Sequence, residues 1–292
     1  MRLILAMGYN EIYGANAPLT DEMRARPVNI FGRLQSWLSM LQADPLQFIV
    51  YLLYLVTSVL IALTFHEVAH GYVAYRCGDP TAKMLGRLSL NPLKHMDPVG
   101  TACMFLLGFG WAKPVPVNPR NFSDFRRDDF LVSIAGIATN LTLFIVSTAL
   151  AVGINGIMWK PEVIQYFGAK EMLSSNGEFY YILISGNASA VSDLMQTPWL
   201  HYVQRFLLLF ASINLGLGVF NLMPFPPLDG FHIVNDVLLK GRLYLNQQIY
   251  QIAQIILLFM ALSGTLSGIM SAIMWAIESG VLNIFLMLTG SV

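Results

Sequence analysis

His66-Glu67-Val68-Ala69-His70 closes an uncharged run of eighteen residues, Phe48 to Phe65. A run of that length without a charge fits a helix crossing a bilayer. Two histidines four apart then lie one turn apart on one helix face, where both can grip a single metal ion. Glu67, beside the first histidine, is placed to take a proton from water that such an ion activates. The pattern predicts zinc-hydrolase chemistry inside a membrane helix.

Composition points the same way. The chain is 55% hydrophobic and only 12% charged, against about 25% charged residues in a soluble domain. Several apolar runs approach the roughly 20 residues that span a bilayer. A net charge of zero identifies no partner class, and nucleic acid is not among the expected ones. The two cysteines, Cys77 and Cys103, form neither a disulfide framework nor a Cys-x-x-Cys site and read as small apolar packers. Met1 to Tyr13 shows no clean signal-peptide cleavage pattern and reads as mature protein.

In chain order, residues 1–44 form an N-terminal arm, and Phe31 to Leu41 suits either an interfacial amphipathic helix or an ordinary solvated arm. A membrane core follows at 45–152. Its first helix covers 45–76, with Pro45 in the first turn and Gly78-Asp79-Pro80 as the stop. Gly86 to Pro92 alternates weakly and predicts a short strand. Residues 98–112 are apolar but short for a span. Lys113-Pro114-Val115-Pro116-Val117-Asn118-Pro119 must be extended, because three prolines at that spacing forbid a helix. A second membrane helix covers 129–152. Residues 153–200 are a more polar insertion without a motif. The core resumes at 201–240, with a third helix at 203–222, a proline-rich break, and a resumed helix at 228–240. Residues 241–292 hold apolar stretches at 247–263 and 267–289, either two helices or one broken one.

Charge assigns the sides. Residues 76–127 carry eight Lys and Arg against three Asp, whereas 153–202 carry two Lys against four acidic residues. The positive-inside rule places 76–127 in the cytoplasm and 153–202 outside, with the His66 motif near the cytoplasmic end of its helix. Both flanks of 98–112 are then cytoplasmic, so this segment should dip into the membrane and return under a cover of protein.

Two histidines leave a zinc site short of one protein ligand. Asp229 is the best third candidate: topology brings it to the level of His66 and His70, and a buried carboxylate in an apolar setting needs a partner or a metal. Asn140 is expected near the metal, orienting the water or donating to a developing oxyanion; interhelical hydrogen bonding is the simpler alternative. Gly136 would allow close helix approach. His95 and His232 suit surface or packing roles, with a place behind the ligands or use as a spare ligand as the alternatives, and His201 lies on the far side. Asn214 and Asn221 suit hydrogen bonds to the broken helix, Asn221 equally a substrate backbone. Phe109 and Trp111 read as interface anchors.

Taken together, His66-Glu67-Val68-Ala69-His70, Ala135-Gly136 to Asn140, and Asn221 with Pro224, Pro226, Leu228, Asp229 and Gly230 resemble the site-2 protease family of intramembrane zinc metalloproteases, peptidase family M50. The order of 60–240 fits that family. The resemblance implies one catalytic Zn2+ held by His66, His70 and Asp229, with Glu67 as the base. It implies a polytopic all-α membrane protein with a three-helix catalytic core, a small β element and a short re-entrant segment. Gly86 to Pro92 and Trp111 to Pro119 resemble the compact prokaryotic branch, without PDZ or CBS domains. In that branch the strand at 86–90 would pair with an unwound substrate, and the proline-rich segment with the dip would form a gate. The expected partners are a membrane-protein or membrane-peptide substrate and the lipid bilayer, and a homo-oligomer is compatible. The expected location is the cell membrane, multi-pass. Competing readings are clearance of remnant membrane peptides by the same chemistry, a catalytically silent scaffold, a metal transporter and an acyl-chain hydrolase. A transporter would show a repeated half-structure, and none is seen.

Overall fold

The computed structural model describes residues 30–101, 111–243, 245–263 and 265–290. A short helix, α1 (Ile30–Ala43), leads into α2 (Pro45–Arg76). Asp44 caps α2: its carboxylate accepts from the Leu46 and Gln47 amides at 3.0 Å each, and Pro45 fills the first helical position, where no amide is needed. At 1.5 Å per residue, the 32 residues of α2 reach about 48 Å, well beyond a bilayer core of about 30 Å. His66 falls roughly 30 Å from its start, so the histidines sit at the far end of the span.

One turn of helix, α3 (Thr81–Met84), follows, the described residues beyond it include 3-10 turns at Pro92–Lys94 and Pro119–Asn121, and α4 (Phe125–Met158) returns across the bundle. Asp124 caps α4 by accepting from the Arg127 amide. Three short helices, α5 (Pro161–Phe167), α6 (Ala169–Leu173) and α7 (Glu178–Ser185), precede α8 (Leu200–Leu222). After a six-residue break come α9 (Asp229–Val237), α10 (Gln247–Leu262) and α11 (Thr265–Thr289). Among the described residues four helices are long and apolar enough to cross a membrane: α2, α4, α8 and Gly268–Thr289 within α11. The chain is a multi-pass, all-α membrane protein.

Lipid removes most of the hydrophobic drive between helices, so close packing and polar pairs hold the bundle. α4 packs along both α2 and α8. Phe144 interlocks with Ala211, Leu215 and Val219. Gln204 Nε2 donates to Asn155 Oδ1 at 3.1 Å, and Arg205 Nη1 to Gln47 Oε1 at 2.8 Å. Such pairs contribute about 1 kcal/mol each. The polar-looking insertion is well packed: Trp159, Met172 and Leu183 are fully buried in one cluster with Leu282 and Leu286 of α11.

The expected β element is absent. Among the described residues there is no strand, only two isolated bridges, one of them Met96 with Ala112. Residues 87–90 are irregular. The physical reason lies in the partner segment, where Pro114 and Pro116 have no amide to donate to a ladder. A side chain ties the two segments instead, Arg87 Nη2 donating to Lys113 O at 2.8 Å, while the buried His95 ring donates from Nε2 to Ser89 O at 2.7 Å and holds the first segment against its own following turn. The expected dip at 98–112, with Cys103 and Phe109, falls largely on 102–110, outside the described residues, as does most of the arm at 1–44.

Candidate metal centre

α2 presents His66 and His70 on one face, rings edge-to-face with centroids 4.5 Å apart. α4 lies against that face with Val132, Gly136 and Asn140, a helical i, i+4, i+8 stripe. His70 Nδ1 donates to Val132 O at 2.7 Å. A carbonyl can only accept, so this nitrogen carries the proton and His70 Nε2 keeps its lone pair. His66 Nδ1 meets Asn140 Oδ1 at 3.3 Å, which fixes the same tautomer. Between these contacts stands Gly136. A Cβ there would lie 2.5 Å from both His66 Cε1 and His70 Nε2, so the site needs glycine at this position.

Asp229 arrives from the other side. α8 ends at Leu222, and the chain turns through Pro224, Pro226 and Pro227 before Asp229 opens α9. Gly230 lets α9 start hard against the end of α8, since a Cβ there would collide with Leu222 O. The turn delivers Asp229 Oδ2 to 3.3 Å from Nε2 of both histidines, and the two Nε2 atoms are 2.9 Å apart. All three are acceptors once both tautomers are fixed, and Oδ2 is buried without a donor. Three lone pairs facing one another call for a cation. The triangle of 2.9, 3.3 and 3.3 Å fits one, since ligands on a tetrahedral zinc with bonds of about 2.0–2.1 Å lie about 3.3 Å apart. Among the described residues His66, His70 and Asp229 form a group able to hold a metal ion.

Glu67 is 9% exposed. Its Oε2 accepts from the Val115 amide at 2.8 Å. Sequence reasoning missed this contact, although the prolines around Val115 single out its amide.

The remaining candidates are placed elsewhere. His95 is buried and tied to Ser89 O. His201 bonds Pro198 O in the insertion. Asn214 and Asn221 donate back into their own helix, to Phe210 O and Leu217 O. His232 Nδ1 lies 3.2 Å from Asp129 Oδ2, and that carboxylate raises the imidazole's pKa. Nearby, Asp236 is 2% exposed, and burial together with the Asp129 carboxylate pushes it up to about 6. Arg126 Nε donates to Asp236 O at 2.6 Å. These residues clamp the start of α4 to α9, the helix that carries Asp229.

A second anchor is Asp79. It accepts from Thr81, from the Asn118 amide at 2.7 Å and from Asn121 Nδ2 at 2.7 Å. Burial alone would raise this carboxyl, but those hydrogen bonds outweigh it and hold it below the usual range.

Comparison with known proteins agrees with this geometry. The model of peptidase family M50 matches residues 54–264, a range that includes His66, Glu67, His70, Asn140 and Asp229. The Bacillus subtilis protein named "Putative zinc metalloprotease YwhC" is 37% identical over 188 residues, 64% of this chain and 70% of that protein. "Putative zinc metalloprotease Rip2" of Mycolicibacterium smegmatis is 26% identical over 156 residues, 49% of this chain and 58% of that protein. Its namesake in Mycobacterium tuberculosis H37Rv is 30% identical over 118 residues, 38% of this chain and 45% of that protein. No solved structure matches. With the family model covering most of its length, the chain belongs to peptidase family M50.

Proposed function

We propose that the protein is a zinc-dependent intramembrane endopeptidase that cuts membrane proteins within or near their spans. The observation that carries this reading is the meeting of His66 Nε2, His70 Nε2 and Asp229 Oδ2, three acceptors with no donor among them, at the end of a membrane helix. His66, His70 and Asp229 would hold the ion. When bound, zinc supplies Lewis acidity, making water a nucleophile near neutral pH and polarising a carbonyl.

The chain's own groups do the rest. Glu67 takes the water's proton and passes it to the leaving amine. Val132 and Asn140 hold the two imidazoles in the tautomer that binds metal. Asn140 is thus a positioning residue. The apolar span keeps bulk water away, and the substrate helix must unwind because its amides are otherwise protected by internal hydrogen bonds. The excess of Lys and Arg over 76–127 supports a site on the cytoplasmic side, with the five segments of the chain serving as arm, two halves of the core, outer insertion and closing helices.

The test is incubation of the purified, zinc-loaded protein with a panel of single-span membrane proteins in detergent, with products mapped by mass spectrometry. The expected product is a cut inside or at the edge of a span. Zinc-loaded protein that cuts no member of the panel, but cuts soluble peptides, would contradict the intramembrane reading.

A further inference from the structure

The segment Lys113 to Asn118 is neither helix nor strand and touches the site at Glu67, and Pro114 and Pro116 have no amide hydrogen. Between Lys113 and Val117 the only main-chain donor is therefore Val115, and it is given to Glu67 Oε2 at 2.8 Å. From this contact we infer that Val115 is a positioning residue for the reaction: its amide fixes one oxygen of Glu67 so that the other, Oε1, faces the reacting water. The inference rests on the endopeptidase reading above.

The placement of that amide is overdetermined. Upstream, the Lys113 amide donates to His95 O at 2.9 Å, and Lys113 O accepts from Arg87. Downstream, the Asn118 amide is held by Asp79. The Val115 side chain is buried against α2 at Gly71, where a Cβ would lie 2.8 Å from Val115 Cγ1. A backbone donor pinned on three sides cannot follow the carboxylate, so the carboxylate must come to it. A hydrogen bond to a charged acceptor is short and roughly twice as strong as a neutral one. Glu67 Oε1, in contrast, has no hydrogen-bond partner among the described residues. One oxygen held and one free is what a base needs if it is to receive a proton without searching rotamers.

Two measurements test this. The first is amide-resolved hydrogen exchange on the full chain in detergent, read at Val115, the single exchangeable amide of Pro114-Val115-Pro116. Glu67→Ala should raise exchange at Val115 at least about tenfold with zinc content unchanged. Equal protection in both proteins would overturn the contact. The second is kinetic. Val115→Pro deletes the donor and should lower kcat by roughly 10- to 100-fold with KM little changed. Val115→Ala keeps the donor and should cut at least about tenfold faster than Val115→Pro. A Val115→Pro enzyme as fast as wild type, or faster, would overturn the inference and leave the endopeptidase reading standing. A wild type that cuts nothing would overturn that reading instead, and the exchange result would still decide whether the contact exists.

Discussion

His66 Nδ1 and Asn140 Oδ1 meet at 3.3 Å, joining residues 74 positions apart across the α2–α4 contact. The contact orients a ring whose other nitrogen faces His70 and Asp229. Groups that hydrogen-bond a metal-binding imidazole in this way typically contribute 10- to 100-fold to metal affinity. Asn140→Ala should therefore weaken zinc binding by roughly that factor while leaving all three ligands in place. Competition with a chelator of known affinity measures it, and unchanged affinity would reduce Asn140 to interhelical packing.

Gly136 gives a sharper steric test. A methyl group there would sit 2.5 Å from His66 Cε1 and His70 Nε2. Neither ring can retreat, because each is tied to α4 on its Nδ1 side. Overpacking of this kind costs about 1–3 kcal/mol, and here it falls on the ligands. Gly136→Ala should insert in the membrane yet lose most of its zinc. A fully metallated Gly136→Ala protein would contradict the described α2–α4 approach.

Asp236 predicts a pH dependence. Burial, with the Asp129 carboxylate beside it, raises its pKa to about 6. Between the ordinary value of 3.8 and about 6 the folded chain binds more protons than the unfolded one, so stability falls as pH rises through that window. The raised His232 works in the same direction at higher pH, its ion pair with Asp129 being lost as the imidazole deprotonates. Asp236→Asn should flatten the dependence of Tm on pH between about 4 and 6 and raise Tm at neutral pH. An unchanged slope would show that Asp236 does not titrate in this window.

Asp79 has the opposite sign. Its hydrogen bonds hold the carboxyl below 3.8, so its contribution is complete above that pH and is lost as pH falls through the lowered value. Replacement by alanine removes the acceptor for Thr81, Asn118 and Asn121 together. We expect Asp79→Ala to lower stability by about 2–4 kcal/mol, measured by denaturant unfolding in detergent, and to loosen the segment that carries Val115.

Much of this architecture is legible in the chain because lipid is a strict solvent. The uncharged run before His66, the apolar run after Asp129 and the proline break before Asp229 leave few alternatives to membrane helices. The two-histidine spacing likewise gives a metal site its geometry before any coordinates. What stays hidden is held by contacts without periodicity. The Val115–Glu67 hydrogen bond joins positions 48 apart through a main-chain atom, which no side-chain pattern encodes. Met172 and Leu183 lie in short helices whose apolar residues are too few per element to show a period, and Trp159 lies in the link just after α4, so a well-packed cluster reads as a polar insertion. The strand expected at 86–90 fails for a related reason: its alternation is real, but the neighbouring prolines deny it a partner.

In the proposed endopeptidase, His66, His70 and Asp229 hold zinc while Glu67 moves the proton. The most direct measurement is cleavage of one single-span membrane protein by the purified wild type and by Glu67→Gln, with zinc content determined in both. Equal zinc is expected, about one ion per chain, with a cut within or beside the span for the wild type and loss of cutting by at least about 1,000-fold in the variant. A Glu67→Gln protein that still cuts at the wild-type rate, or a wild type that binds no zinc after reconstitution, would contradict it.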